Sequence, residues 1–323
     1  MRVLVTGGTG FIGQAVVRRL VARGDRVVAI VRDPGRASAL TDLGVELRTG
    51  DLSRTAAIVD AMRGNDAAIH LAGDYRIGIA AAERPAMLDA NVGTTHRVMD
   101  AASTAGLERL IATSTVNVFG DTRGRIVDER FRRDLDDGFL SYYDETKFLA
   151  HRAMEERIGS GARIVIVMPG VTYGAGDHSA IGQQLRAAYE GTLRYIGIGD
   201  SGISAVHVDD VASGIVAALD RGRIGEAYVL AGENMRLVDA IRVAARLGGR
   251  SVPRLTIPPA LVRVLSRAPA PMARAIGLPD DLGEVMRASL GVTYWASSAK
   301  AATDLGYVPR DLASGLRATF DRG

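Results

Sequence analysis

Tyr143 and Lys147 lie four residues apart in the segment SYYDETKFLAH. On a helix this spacing places both side chains on the same face. The ordinary pKa of a tyrosine phenol is about 10. A nearby ammonium group favours tyrosinate and lowers that pKa towards neutrality. A tyrosine and a lysine at this spacing can therefore exchange a proton with a substrate.

Lysine is rare in this chain, since only Lys147 and Lys300 among the 40 Lys and Arg residues are lysine. A compact ammonium group on a flexible stem fits into a narrow space that a wide planar guanidinium does not enter. The YxxxK spacing alone is common in surface pairs, so its meaning depends on the elements around it. Lys300, in SSAKAATDLGYVP, is predicted to be structural.

A glycine-rich loop, TGGTGFIG at residues 6–13, follows the first predicted strand and begins the first predicted helix. Its glycines permit a tight turn, a close approach of the backbone to a pyrophosphate and close packing of helix on strand, and the helix N-terminus offers free N–H groups. The loop predicts a dinucleotide site, and the alternative is a plain turn between strand and helix. The predicted cofactor contacts here are Gly7, Gly10, Phe11, Ile12 and Gly13.

The second predicted strand ends in AIVRDPG, so Arg32 precedes Asp33. An arginine here can pair with a ribose phosphate through two hydrogen bonds and stack on adenine. We therefore predict NADP rather than NAD. NAD stays possible, with a solvated Arg32 and with Asp33 binding the ribose hydroxyls.

Further cofactor contacts are predicted after the third and fourth strands. Asp51 and Leu52, in TGDLS, are expected to flank the adenine. The HLAG segment is expected to line the cofactor groove through Leu71, Ala72 and Gly73.

Apolar runs rich in β-branched residues alternate with helical patterns along the first half of the chain. Strands are predicted over residues 3–6, 26–31, 45–49, 67–71, 109–113, 163–168 and 227–230. Helices are predicted over residues 11–23, 53–63, 84–105, 141–158 and 207–219. This order predicts an α/β fold of the Rossmann type, a doubly wound parallel sheet covered by helices on both faces.

After Pro169 the pattern becomes richer in Gly and Pro, with short and rare strands. We predict an NAD(P)-binding Rossmann domain over 1–170 and a smaller, mainly helical substrate-binding region over 171–323. Residues 205–231 are expected to return to the Rossmann domain. The apolar stretch 255–279 is interpreted as helices that cap the pocket, and the alternative is contact with a membrane or a lipid-like substrate.

Composition excludes several classes of function. The 323 residues include no cysteine, and the five histidines are far apart in sequence, so no metal site is predicted. The net charge is only +3, without a basic cluster, so no nucleic-acid partner is predicted. No run of about 18 uncharged apolar residues predicts a membrane span. The chain starts directly in a strand-like run, without a signal peptide pattern, and we expect a cytoplasmic protein.

The whole chain resembles the extended short-chain dehydrogenase/reductase family, of the NAD-dependent epimerase/dehydratase type. The matching segments follow the family order over nearly the full length. They are TGGTGFIG, GDL at 50–52, HLAG at 70–73, NVGTT at 91–95, ATSTVNVFG at 112–120, YDETK at 143–147, MPGVTYG at 168–174, HVDDVA at 207–212 and DLGYVPR at 304–310.

The resemblance implies roles for individual residues. Tyr143 would be the proton donor or acceptor, and Lys147 would lower its pKa and hold the nicotinamide ribose. Thr115, five residues before Gly120, would hydrogen-bond the substrate oxygen, and Ser114 is the neighbouring candidate. Further cofactor contacts would come from Thr113, Pro169 and Val171. Members commonly form homodimers through helices that correspond to 84–105 and 141–158.

The family includes reductases, dehydrogenases, epimerases and dehydratases. Dehydratases carry an Asp-Glu pair after the catalytic Thr, but Val116 and Asn117 stand here. Nucleotide-sugar enzymes usually carry an arginine where this chain has Ile203, although Arg186 or Arg194 could replace it. The VRDPG and HVDDVA segments look more like the dihydroflavonol-reductase and 3β-hydroxysteroid-dehydrogenase branches.

We therefore predict an NADP(H)-dependent carbonyl reductase or alcohol dehydrogenase that acts on a non-nucleotide, possibly apolar small molecule. The first alternative is an NAD-dependent nucleotide-sugar epimerase. The second is a non-catalytic NADP-sensing regulator, a class that often loses the Tyr–Lys pair.

Four other residues attract attention without entering the predicted site. Asp209 and Asp210 are expected to cap a helix that starts near Val211. His207 is expected to be a structural hydrogen-bonding residue. Tyr75 follows the fourth strand, where a substrate loop is expected, but no contact is predicted for it.

Overall fold

The computed structural model describes residues 1–196, 199–252 and 280–321. Within these residues the main sheet has seven parallel strands in the order β3-β2-β1-β4-β5-β6-β9. The strands are β1 (Arg2–Thr6), β2 (Arg26–Val31), β3 (Glu46–Thr49), β4 (Ala67–His70), β5 (Leu110–Thr113), β6 (Ile164–Pro169) and β9 (Ala227–Leu230). The predicted Rossmann-type parallel sheet is confirmed, because order and direction are those of a doubly wound fold.

The strand bounds agree closely with the sequence prediction. The strands over 26–31 and 227–230 have their predicted bounds, and the other five differ by one residue at one or both ends. In the six strands other than the edge strand β3, the β-branched and apolar residues are buried on both faces of the sheet, as in parallel sheets covered by helices.

Helices cover both faces of the main sheet. On one face α1 (Phe11–Ala22) packs against α8 (Val208–Arg221). The other face carries α3 (Thr55–Met62), α5 (Thr94–Thr104) and α6 (Tyr142–Gly159). The short helices α2 (Ser38–Thr41) and α4 (Arg84–Leu88) lie between them in the chain. The chain order reverses between β1 and β4, so a crevice opens at the carboxyl ends of these two strands.

The predicted single helix over 84–105 is interrupted. A π-helical turn, Asp89–Gly93, separates α4 from α5. The hydroxyl of Thr95 donates to the carbonyl of Asn91 at 2.6 Å, inside this irregular stretch. Such turns insert an extra residue into a helix and commonly occur at functional sites. The apolar spacing of the sequence carries no signal for the insertion.

The region after residue 170 contains a second sheet that the sequence prediction missed. Its strands are β7 (Val171–Tyr173), β8 (Gly202–His207) and β10 (Glu233–Arg236), in the order β10-β8-β7. β8 is parallel to β7 and antiparallel to β10. β7 has only three residues and β10 has the mostly polar sequence ENMR, so the pattern of apolar residues could not reveal these two strands. β8, GISAVH, is six residues long and fully buried, and the prediction missed it although the signal was present.

The other described helices of this region surround the second sheet and the edge of the main one. α7 (Ala180–Glu190) packs against α9 (Leu237–Leu247) in a separate apolar cluster. The C-terminal helices are α10 (Leu282–Arg287), α11 (Ala299–Leu305) and α12 (Leu312–Phe320). The predicted cap helices over 255–279 lie outside the described residues.

The segment 205–231 is shared between the two sheets. β8 belongs to the second sheet, whereas β9 pairs with β6 in the main sheet, with Ile166 opposite Ala227. The predicted helix over 207–219 begins at Val208 and not near Val211, because the imidazole of His207 accepts from the backbone N–H of Asp209 and caps it. The expected capping by Asp209 and Asp210 is therefore wrong. The division into domains at residue 170 stays a prediction.

Among the described residues, none of the helices combines the length and apolar character that crossing a membrane requires.

Candidate functional site

A cavity of about 580 Å³ opens at the carboxyl ends of the central strands of the main sheet. Most residues predicted for the site line it. They are Gly7, Gly10, Phe11, Ile12, Gly13, Leu71, Ala72, Gly73, Thr113, Ser114, Thr115, Tyr143, Lys147, Pro169 and Val171. Parallel sheets of this type bind ligands at this edge, where the strand order reverses.

The glycine-rich loop has the shape that a dinucleotide diphosphate requires. A Cβ atom on Gly13 would lie 2.0 Å from the carbonyl oxygen of Gly7. Gly7 has a φ of +71°, and its own Cβ would lie 2.6 Å from the backbone nitrogen of Ala72. α1 begins after Gly10 without a capping side chain. Its N-terminal N–H groups are therefore available to an anion, and the loop fits the diphosphate of NAD(P).

Arg32, Asp51 and Leu52 do not line this cavity. They follow the carboxyl ends of β2 and β3, on the same edge of the sheet. Hydrogen bonds from Ser53 chiefly, and the charge of Arg32 to a lesser degree, lower the pKa of the exposed Asp51. Asp33 accepts from the backbone N–H of Gly35 at 2.9 Å, so one of its carboxylate oxygens is used within its own turn.

α6 positions the tyrosine and the lysine. The hydroxyl of Ser141 accepts from the backbone N–H of Asp144 at 3.1 Å and starts the helix. Tyr143 is 8% exposed, and both it and Lys147 line the cavity. The ammonium group of Lys147 donates to the backbone carbonyl of Thr113 at 3.0 Å. The helix and the end of β5 therefore hold the pair on one wall.

Burial dominates the electrostatics of the pair. Loss of hydration lowers the pKa of Lys147 to about 8. Burial, followed by the charge effect of Tyr75, raises the pKa of Tyr143 above its ordinary value, and the hydrogen bond with Thr115 opposes this shift only in part. The predicted lowering by Lys147 is therefore not found in the cofactor-free protein. Its ammonium group is hydrogen-bonded to the carbonyl of Thr113 instead, and Tyr143 remains protonated at neutral pH.

Thr115 stands at the start of a short 3₁₀ turn, Val116–Phe119. Its hydroxyl accepts from the backbone N–H of Asn117 at 3.3 Å and lies 3.2 Å from the side-chain oxygen of Asn117. Thr115 and Tyr143 both line the cavity, and Thr115 is near enough to act on the pKa of Tyr143. The structure therefore brings together the predicted proton-transfer residue and the residue predicted to bind the substrate oxygen.

Asn91, which the prediction did not single out, fixes the loop after β4. Its amide nitrogen donates to the carbonyl of Asp74 at 3.0 Å and to the hydroxyl of Thr146 at 2.9 Å. Its amide oxygen accepts from the backbone N–H of Asp74 at 2.7 Å. Asn91 sits in the π-helical turn and lines the cavity. The NVGTT segment was the available signal, but only the turn explains why this side chain faces inward.

Tyr75, for which no substrate contact was predicted, lines the cavity beside Tyr143. Its ring packs edge-on against the ring of Tyr143, with 4.8 Å between their centroids. Tyr75 is also 55% exposed, so it stands at the mouth of the cavity. The sequence identified its loop but not the direction of its ring.

Away from the glycine-rich loop the cavity wall combines apolar side chains with polar ones, among them Asp177, His178 and Ser201. The apolar side chains include Ile77, Ile181, Ile203 and Tyr294, and Ile203 is 2% exposed. Neither Arg186 nor Arg194 lines the cavity. Arg186 instead lies 3.8 Å from Glu190 and stacks on Phe320. Among the described lining residues no arginine is present, so the diphosphate anchor expected of nucleotide-sugar enzymes is missing from this part of the wall.

Lys300 lies outside the cavity lining. It pairs with Glu226 at 2.6 Å and donates to the carbonyl of Ala227 at 2.7 Å. Its ammonium group also lies 4.7 Å from the centre of the Tyr228 ring. These contacts join α11 to β9, so the second lysine of the chain has a structural environment.

Comparisons with known proteins agree with this geometry. The model of the NAD dependent epimerase/dehydratase family matches residues 3–231. A sterol demethylase protein B from Methylococcus capsulatus is 30% identical over 277 residues, 85% of this chain and 83% of the relative. A 4-hydroxy-2-methyl-3-oxo-4-farnesyl-3,4-dihydroquinoline-1-oxide ketoreductase from Stigmatella aurantiaca is 31% identical over 304 residues, 87% of this chain and 89% of the relative.

The fold is also shared with solved structures. The crystal structure of gox2253 superimposes with a TM-score of 0.83 at 32% identity, over 99% of this chain and 96% of that one. A glycine-rich loop that fits a diphosphate, a paired tyrosine and lysine, and a family match over most of the chain lead to one conclusion. The chain belongs to the NAD dependent epimerase/dehydratase family and is an NAD(P)-dependent enzyme of the extended short-chain dehydrogenase/reductase type.

Proposed function

We propose that the chain is an NADP(H)-dependent carbonyl reductase or alcohol dehydrogenase for a non-nucleotide, apolar small molecule. The observation that carries this proposal is the meeting of Tyr143, Thr115 and Lys147 on one wall of the cavity, which also has apolar side chains. A hydroxyl pair beside a buried ammonium is suited to proton transfer at a carbonyl or alcohol oxygen.

Each side chain has a defined part in this reaction. NADP(H) would supply or accept the hydride at the substrate carbon. In reduction, the Tyr143 O–H bond breaks, its proton forms the new alcohol O–H bond, and solvent returns a proton to the phenolate. The hydroxyl of Thr115 orients the substrate oxygen. Lys147 stabilises the phenolate when it forms and binds the ribose.

The preference for NADP rests on the end of β2. Arg32 is exposed at the edge where the ribose of a bound dinucleotide would lie, and Asp33 is engaged with Gly35. A guanidinium group there attracts a ribose phosphate, whereas the competing carboxylate is already used in part. Both features favour the phosphorylated cofactor.

The apolar substrate class rests on the cavity wall and on the relatives. The isoleucines and Tyr294 supply the apolar surface of the wall, the carboxylates of Asp74 and Asp177 disfavour an anionic substrate, and the described lining lacks an arginine for a diphosphate. The names of the two relatives cited above refer to a sterol and to a farnesylated quinoline. We infer a ketone or alcohol with a large apolar body.

A homodimer through the helical segments 84–105 and 141–158, which contain α4, α5 and α6, is part of the proposal. Leu88 and Leu149, on α4 and α6, are 39% and 41% exposed. Pairing of the helices between two copies would cover both side chains. Sedimentation of the purified protein is expected to give twice the mass of the 34.1 kDa chain.

The decisive experiment is cofactor consumption, followed by absorbance. NADPH and NADH are offered with ketones and aldehydes, the oxidised cofactors with alcohols, and a set of UDP-sugars is tested in parallel. Turnover that prefers NADPH is expected. Interconversion of a UDP-sugar without net consumption would establish the epimerase alternative, and cofactor binding without any turnover would favour the regulator.

Tyr143→Phe supplies the mechanistic control. This variant is expected to lose at least 100-fold in kcat while binding NADPH normally, because only the proton-transfer group is removed. Tyr142→Phe is the matched variant. The neighbouring Tyr142 packs under Arg84, with 5.1 Å from the guanidinium to the ring centre, and should keep its activity. Normal turnover in Tyr143→Phe would overturn the mechanism.

A further inference from the structure

The wall beside Thr115 continues into the protein as a chain of three side chains. Ser114 lines the cavity and is 3% exposed. Its hydroxyl oxygen lies 2.9 Å from Nδ1 of His151, which is 9% exposed. Nε2 of His151 lies 3.6 Å from a carboxylate oxygen of Glu155. The first contact is a hydrogen bond, and the second is an ion-pair distance.

Two of these three side chains, His151 and Glu155, are positioned by the helix α6. Residues four apart share a face of the helix, and Tyr143, Lys147, His151 and Glu155 follow at that interval. Lys147 contacts the backbone at the end of β5, and His151 contacts the side chain of Ser114, which directly follows β5. The face that carries the proposed catalytic pair therefore also carries the histidine.

Glu155 orients the imidazole. The guanidinium of Arg152 donates to the carboxylate of Glu155 at 2.8 Å, and that of Arg132 lies 3.6 Å from the same carboxylate. Interaction with His151 first, and with these arginines, lowers the pKa of Glu155 to about 2, so it is a carboxylate at neutral pH. A carboxylate favours a proton on the facing nitrogen, Nε2. In the neutral ring Nδ1 then carries none and can only accept.

The direction of the Ser114 hydroxyl follows from this. Beside a neutral His151, Ser114 donates its proton to Nδ1 and presents only lone pairs to the cavity. Beside a protonated His151, Nδ1–H donates to Ser114, and the serine proton becomes free to point into the cavity. The same wall thus changes from a hydrogen-bond acceptor to a donor.

We propose that His151, held by Glu155, is a positioning residue that sets the hydrogen-bond polarity of the cavity wall through Ser114. A protonated His151 favours a ligand oxygen that accepts, such as a ketone, and a neutral His151 favours one that donates, such as an alcohol. The consequence for substrates rests on the proposed carbonyl–alcohol reaction. The charged groups around the pair are Glu155 and Arg152 on the same helix, Arg132 before it and Lys147 one turn earlier.

The first test needs no turnover. Nitrogen-15 spectra of the imidazole report which ring nitrogen carries a proton, and His151→Asn identifies the signals. At high pH the protein is expected to show a proton on Nε2 and an unprotonated, hydrogen-bonded Nδ1. Ser114→Ala should shift the Nδ1 signal alone. A neutral ring protonated on Nδ1, or an Nδ1 signal that ignores Ser114→Ala, would overturn the proposal.

The second test uses the ketone and alcohol found by the cofactor-consumption experiment. Across the pH range in which the nitrogen-15 spectra show His151 losing its proton, the KM of the ketone should rise and that of the alcohol should fall. Each change should be about 10-fold, as for one hydrogen bond of about 1.4 kcal/mol. His151→Asn keeps an amide near the Nδ1 position but does not titrate. It should therefore flatten both trends relative to the wild-type protein.

Two comparisons separate positioning from a general structural effect. Opposite KM trends for ketone and alcohol would not arise from a loosened fold. The double variant Ser114→Ala/His151→Asn should behave as Ser114→Ala alone, because His151 acts through the serine. Additive effects, or a His151→Asn variant with the wild-type trends, would refute the role. If no ketone or alcohol is turned over, the proposed function fails and the imidazole spectra alone decide the hydroxyl direction.

Discussion

At the scale of single residues, the burial of Lys147 lowers the stability of the folded protein at neutral pH. The ammonium group is buried at the cavity wall, and burial lowers its pKa from 10.5 to about 8. The unfolded chain therefore binds more protons between these two pH values, and the free energy of unfolding rises with pH across that window. Below about pH 8 the folded protein holds a charge that burial disfavours.

Replacement of Lys147 by methionine should therefore stabilise the cofactor-free protein at pH 7. The expected gain in the free energy of unfolding is on the order of 1–3 kcal/mol, and it should disappear above pH 10.5, where both states are neutral. Urea unfolding at several pH values measures it. Lys300→Met is the matched control, and it should not stabilise because it loses the pair with Glu226. A destabilised Lys147→Met at pH 7 would contradict the argument.

Arg32 carries the expected choice of cofactor. Arg32→Ala should weaken the binding of NADPH about 10-fold or more and leave NADH nearly unchanged, because only NADPH has the ribose phosphate that a guanidinium binds. Fluorescence titration with both cofactors measures the two dissociation constants. Arg18→Ala, at an exposed position in α1, is the control for loss of one positive charge. Equal losses for both cofactors would assign Arg32 to adenine stacking instead.

At the scale of elements, the close packing of the glycine-rich loop on α1 is a condition for cofactor binding. Gly13→Ala would place a methyl group 2.0 Å from the Gly7 carbonyl, so the loop must move. We expect loss of NADPH binding and a lower free energy of unfolding, by about 1–3 kcal/mol. Gly159→Ala is the matched control at the end of α6, where the new methyl group meets no atom within 4 Å. Calorimetric titration and thermal unfolding of both variants provide the comparison.

Most of the main sheet was predictable because its central strands are short apolar runs between turn signals, as in RVVAIV at 26–31, whereas the edge strand β3 has the more polar sequence ELRT. The glycine-rich loop was predictable from its local spacing between a strand and a helix, whereas the Tyr143–Lys147 pair took its meaning from the surrounding elements and the family resemblance. Asn91 and Tyr75 were not predictable. Asn91 faces the cavity only because a π-helical turn rotates it inward, and the direction of Tyr75 depends on packing against a residue 68 positions away.

The direction of the Tyr143 pKa shift shows a second limit of sequence reasoning. The types and spacing of two residues indicate that a lysine is near a tyrosine. They do not indicate how much water remains around the phenol, and burial is the larger effect here. The prediction missed β10 for a related reason. The sequence ENMR has no alternation of apolar and polar residues, and pairing with β8 places it in a sheet.

At the scale of the whole molecule, an ion pair connects the C-terminal segment to α8, a helix that covers the main sheet. Arg310, between α11 and α12, binds Asp210 of α8 through its guanidinium, with distances of 2.8 to 3.0 Å, and through its backbone N–H at 3.0 Å. Asp210 is only 7% exposed. The side chain of Tyr173 in the second sheet contacts the same C-terminal segment through the carbonyl of Leu312. This segment therefore joins the two sheets on which the cavity is built.

Loss of this ion pair should loosen the molecule as a whole. Asp210→Asn is expected to lower the free energy of unfolding by about 2–4 kcal/mol, because a buried partner is removed from a multiply bonded arginine. Asp304→Asn provides the matched comparison, since its partner Arg223 is 63% exposed, and a change below about 1 kcal/mol is expected. Urea unfolding of both variants, with NADPH affinity measured in parallel, tests the link. Equal changes in the two variants would show that the C-terminal segment contributes little to the stability of the cavity.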